Sequence, residues 1–190
     1  MQVNYGLNGN FFVRSYDEIS GPANKKYFYK KNFLGTIGGV ELTYKISKKS
    51  SLFVGSNKSI NNGKKNYGGT MNGVDIFIHD FKLRHTNNFF QLGLAKQLGQ
   101  KENFKVSAGT VLVYDAQQTI NIENWENYIL INESTYKNAN SVEGGVFLGI
   151  EYLKKIDSKF DLGVACKGYY LISVNTIEAI TFSPTLTYHF

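Results

Sequence analysis

A chain of 190 residues with 42% hydrophobic content, 19% charged content and a mean hydropathy of −0.26 has the size of one domain and, by its averages, the profile of a water-soluble globule. It has no run of eighteen or more apolar residues, which excludes transmembrane helices but not transmembrane strands, where only every second residue meets lipid. The net charge of +6 favours anionic surroundings, and the single Cys166 excludes an internal disulfide or a thiolate metal cluster.

Nineteen glycines, thirteen tyrosines and fourteen phenylalanines against two prolines point to strands rather than helices. From the amino end, Met1, Gln2, Val3 and Asn4 lead straight into an alternating strand with no secretory signal before it, as expected of a mature chain carrying an added initiator Met. Predicted strands cover 3–16, 32–46, 51–60, 87–98, 104–118, 141–153, 160–173 and 177–190. Polar turns at 47–50, 99–103 and 154–159 separate three hairpin units of similar pattern, Gly39 to Gly55, Leu92 to Gly109 and Gly149 to Gly163. Longer connections at 17–31, 61–86 and 119–140, with a tight one at 174–176, alternate with these turns. Residues 1–190 therefore read as a single all-β domain, a closed antiparallel up-and-down barrel of eight strands with both termini at the short-turn end. The 70–86 stretch is itself strand-like. It is expected either to extend a hairpin beyond the barrel or, if 120–131 also forms a strand, to make ten strands.

Alternation alone does not say whether the apolar face meets lipid or lines a ligand cavity, as in a lipocalin. The opposite face separates the two. In 32–46 the apolar set is Leu34, Thr36, Gly38, Val40, Leu42, Tyr44 and Ile46, against Phe33, Gly35, Ile37, Gly39, Glu41, Thr43 and Lys45. Small residues mixed with isolated charges suit a narrow lumen, whereas a wetted sheet would be dense in Lys, Glu and Thr. The expected lumen ion network comprises Arg14, Glu41, Lys45, Lys105, Asp115, Glu143, Glu151, Asp161 and Lys167. Glu41 lies five residues from the end of its strand at Ile46, and Lys167 seven from the start of its strand at Phe160. Strand rise puts them at similar depth, so they are expected to share one network that closes the bore. Tyr44, Phe104, Tyr152, Phe160, Tyr188 and Phe190 fall near the short turns as one aromatic girdle.

The last strand alternates Ile180, Phe182, Pro184, Leu186, Tyr188 and Phe190 against Thr181, Ser183, Thr185, Thr187 and His189. Pro184 lacks a ladder donor, and a bulge is expected there. The segment SPTLTYHF resembles the terminal strand of small bacterial outer-membrane β-barrels, and the whole chain resembles the OmpA/OmpX type, most of all the Lys/Asn-rich barrels of Bacteroidetes-type bacteria. The resemblance implies integral residence in the outer membrane, contact with its lipid and lipopolysaccharide, and insertion by the barrel-assembly machinery. Leu186, Tyr188 and Phe190 would be the assembly signal.

Chemistry is sparse. His79, Asp80 and His85 lie in one region, but the His, Ser and Glu arrangement of lipid A deacylase barrels is missing. Neither HExxH spacing nor a Cys/His cluster occurs, and Gly68 to Gly73 lacks the lysine and helix of a phosphate loop, so no catalytic residue, metal or cofactor is expected. Lys25, Lys26, Lys30 and Lys31, interleaved with Tyr27, Phe28 and Tyr29, fit lipopolysaccharide phosphates better than nucleic acid. The apolar residues of 119–140, including Ile120, Ile122, Trp125 and Tyr128, read as strand extensions packed on each other or as a patch for a protein partner. The expectation is a non-enzymatic structural or interaction protein, with a narrow ion or solute channel, a lipid A-modifying enzyme and a soluble lipocalin-like carrier as alternatives.

Overall fold

The computed structural model describes residues 1–11, 33–71, 74–99, 103–116, 120–125, 128–133, 139–173 and 175–190; over 63–71, 74–83, 116, 120–125, 128–133 and 139–141 the description is of the backbone. Within them run β1 (Gln2–Asn10), β2 (Leu34–Lys45), β3 (Ser50–Met71), β4 (Val74–Leu98), β5 (Phe104–Ala116), β6 (Ile120–Trp125), β7 (Tyr128–Glu133), β8 (Ala139–Lys155), β9 (Phe160–Leu171) and β10 (Thr176–Tyr188). Eight close an antiparallel barrel in the order β1, β10, β9, β8, β5, β4, β3, β2, while β6 and β7 form a separate hairpin. The barrel thus has eight strands, not ten, because among the described residues β6 and β7 pair only with each other.

Register fixes the shape. A row of paired residues that starts at Tyr44 passes through Leu52, Leu94, Ala108, Leu148, Gly168, Ile180 and Gly9 and returns to β2 at Leu34, a stagger of ten residues, from 44 to 34. Strands closed with such a stagger lean about 40° from the barrel axis, and eight of them leave an interior that side chains can fill. Beyond Ile60 and Thr86 the described residues show no further pairing to β2 or β5, and β3 and β4 continue as a hairpin paired to Met71 and Val74. A register shift between Lys65 and Tyr67 places His79 and Asp80 opposite Asn66 in a bulge, so simple alternation does not carry through that pair.

Two corrections concern the last strand. Pro184 causes no bulge: it stays in register with Val164, and on the β1 side the ladder lapses between Asn4–Thr185 and Leu7–Phe182 without slipping. The missing donor opens a gap in hydrogen bonding, and the register survives because the flanking pairs hold it. The bulge sits instead between Ile177 and Ala179, where Glu178 and Ala179 are both buried in succession. The first strand ends at Asn10, short of the expected 16, and 12–16 lie outside the described residues.

The outer wall carries the apolar set expected of 32–46 and the alternate apolar residues of the other strands. Leu148 is 70% exposed, Leu34 67%, Leu42 54% and Leu162 50%, whereas inward Ile37, Phe89, Val111 and Phe147 are buried. Aromatic pairs Phe104–Tyr152, Phe160–Tyr188 and Tyr188–Phe190, with centroids 5.2, 5.1 and 5.0 Å apart, gather at the short-turn end. On β3 and β4 the wall also bears two exposed lysines, Lys58 paired with Asn88 and Lys96 paired with Ser50. Lysines at such positions keep their stems on apolar surface and carry the ammonium toward polar surroundings.

Candidate functional site

The polar chemistry of the described residues is concentrated in the bore, in layers that follow the stagger of the strands. Nearest the short turns, Lys105 on β5 pairs with Glu151, directly across on β8. Gln2 Nε2 and the Thr185 hydroxyl both donate to Glu151 Oε1, at 2.6 and 2.5 Å, and Lys105 donates to Gln2 Oε1 at 2.9 Å. One buried carboxylate on β8 is thereby held by a cation and two neutral donors from three other strands. At the rim His189 Nε2 meets Asp161 Oδ2 at 2.7 Å. The Met1 ammonium donates to the Tyr188 carbonyl at 2.8 Å, and its pKa is lowered first by burial and then by the charge of Lys105.

Further in, Lys167 on β9 pairs with Glu41 on β2, across the bore. Lys167 also donates to Gln91 Oε1 at 3.3 Å, and Gln91 Nε2 donates to the Tyr169 hydroxyl at 3.1 Å. The ammonium lies 5.3 Å from the Phe53 ring centroid and 5.8 Å from that of Phe147, a cation–π arrangement on top of the ion pair. Phe53 and Phe147 meet edge to face at 5.7 Å, and Phe89 and Tyr169 stand 4.6 Å apart, so aromatic rings fill what the pair leaves. The remaining cavity beside Glu41, Lys167 and Tyr169 measures about 10 Å³, space for about one water. Gly93 is part of that closure, since a Cβ there would stand 2.7 Å from Phe147 Cζ and 3.0 Å from Phe53 Cζ. Toward the long connections, Asn87 Nδ2 donates to Glu178 Oε1 at 2.9 Å and the Ser173 hydroxyl donates to Glu143 Oε2.

The residues expected in one lumen network therefore occupy several layers. Glu41 contacts Lys167, Lys105 contacts Glu151, Asp161 contacts His189, and Asp115 is buried at 8% exposure. Lys45 is exposed at the mouth, and Arg14 lies outside the described residues. So do Lys25, Lys26, Lys30 and Lys31. Leu186, Tyr188 and Phe190 lie on the outer side of the wall at the short-turn end, Phe190 at 95% exposure. Sequence reasoning passed over the neutral partners Gln2, Gln91, Tyr169 and Thr185. Their inward parity was available, but a search for charges does not rank amides and hydroxyls. Glu178 was hidden by the bulge that shifts its parity.

No group of three or more His, Cys, Asp or Glu side chains among the described residues is placed to hold a metal ion. The arrangement is suited to closing a bore and stiffening a wall: its carboxylates are occupied by cations and donors rather than presented to a cleft. No protein-family model matches this chain, and none of the curated proteins does.

Proposed function

We propose that the protein is an integral outer-membrane barrel of the small OmpA/OmpX type that works without catalysis, as a structural or interaction protein in a lipopolysaccharide-bearing membrane. The observation that carries this reading is the inversion of polarity: an exposed apolar wall encloses a bore in which Glu41 and Lys167 are paired. Water does not favour a wall with Leu42, Val146 and Leu162 outward, while lipid does. A lipocalin-like carrier would turn those side chains into a ligand cavity, and here the interior is filled. The filled bore also favours an anchor or docking surface over a channel, leaving the wall and the long connections as the surfaces that meet partners.

Fractionation tests residence, and co-purification from native membranes tests the interaction role. The expected result is outer-membrane fractionation with a stoichiometric protein partner. Recovery in the soluble fraction would overturn the membrane reading. Lipid A altered in mass on expression would replace the structural reading with an enzymatic one.

A further inference from the structure

The short-turn mouth of the bore is a blind basin of about 260 Å³, stopped from within by the Lys105–Glu151 and Glu41–Lys167 layers. Four lysines line it, Lys45, Lys48, Lys49 and Lys105, against one side-chain carboxylate, Asp161. Asp161 is engaged by His189, and Lys105 is engaged by Glu151. Among the described residues no carboxylate pairs with Lys45, Lys48 or Lys49, so three positive charges share a concave space.

The turn that carries two of them is pinned. Ser47 Oγ accepts from the Ser50 backbone at 3.0 Å, and Gln97 N–H donates to the Lys49 carbonyl at 2.8 Å, tying the turn to β4. Neutral donors face the same space, Ser51 and Gln97 among them. Convergent like charges in a concavity raise the local concentration of counter-ions, and a basin below the roughly 300 Å³ of ordinary ligand sites suits a small anion. Lysines act as compact point charges and do not present the planar fork by which arginine grips a carboxylate, so tetrahedral phosphate is the better match.

We propose that this basin is a binding site for a multiply charged phosphate-class oxyanion, held by Lys45, Lys48 and Lys49 with Ser51 and Gln97 as neutral donors. The site goes beyond the structural role and needs only a closed bore and an open rim, both features of the fold.

Inorganic pyrophosphate is the probe, titrated by calorimetry into the full chain in a non-ionic detergent at fixed ionic strength. The wild type should bind it saturably at one site. The double variant Lys48→Gln/Lys49→Gln should bind at least about tenfold more weakly. Lys154→Gln/Lys155→Gln, which removes the same charge from another turn of the same rim, should stay within about twofold of the wild type. Both pairs lie at an exposed end of the barrel, and thermal unfolding of each variant should match the wild type. Equal weakening in the two double variants would mean a diffuse field rather than a site, and no saturable binding in the wild type would overturn the proposal outright.

Discussion

Lys167 illustrates how much one inward side chain decides. Its ammonium is satisfied at once by Glu41, Gln91 and two aromatic faces, in a space with room for about one water. Removing one partner of such a pair leaves the other charge buried, and that penalty exceeds the net worth of the pair. Lys167→Ala should therefore destabilise the barrel by about 3 kcal/mol in denaturant unfolding from detergent micelles. Glu41→Gln placed on top should restore part of the loss, because an amide tolerates the site that an unpaired carboxylate does not. Full additivity of the two changes would deny that they interact. On the outer face the sign reverses: Leu148, 70% exposed, is expected to tolerate small apolar substitutions. Leu148→Arg should cost about 2 to 4 kcal/mol if it lies near the bilayer midplane, with Thr43→Ser nearly silent. Equal tolerance at both positions would mean that the wall does not meet lipid.

At the scale of the strand, most of the architecture was legible because alternation with period two survives wherever a strand has two different faces. The hairpin turns at 47–50 and 154–159 and the face assignments of β2, β5, β8 and β9 rest on that signal. It fails where the backbone slips. The bulge between Ile177 and Ala179 brings Glu178 inward, and the one opposite Asn66 interrupts counting through His79 and Asp80. Proline misled in a different way, since a missing N–H needs only a missing bond and not a shifted register. Among the described residues the hairpin beyond Asn62 and Arg84 pairs only with itself, so the barrel should not depend on it. Replacing 63–83 by a tight Asn-Gly turn should change the barrel's unfolding free energy by less than about 1 kcal/mol, given the weak dependence of closure entropy on loop length. A variant that no longer inserts into micelles would show instead that the projecting hairpin guides assembly.

For the molecule as a whole, the question is whether ion pairing or ring packing closes the bore. The site was partly legible: counting depth along β2 and β9 brings Glu41 to Lys167, whereas the Lys105–Glu151 pair follows from the β5–β8 register that the structure supplies. What charge counting does not disclose is the aromatic cluster around the central pair, Phe53, Phe89, Phe147 and Tyr169, because an inward Phe reads as a lapse in the pattern rather than as part of a plug. That cluster changes the expectation for conductance. Neutralising the pair alone, in Glu41→Gln/Lys167→Ala, leaves the rings across the bore, and a constriction lined by apolar groups excludes ions by staying dry. The wild type and this double variant should both show no persistent conductance in planar bilayers. Adding Phe147→Ala removes a ring in contact with Phe53 and Tyr169, and should open steps of ionic current. A wild-type barrel that already conducts steadily would make the pair part of an ion path and move the protein to the channel class. Steady conduction by the double variant alone would show instead that the charges, not the rings, are the stopper.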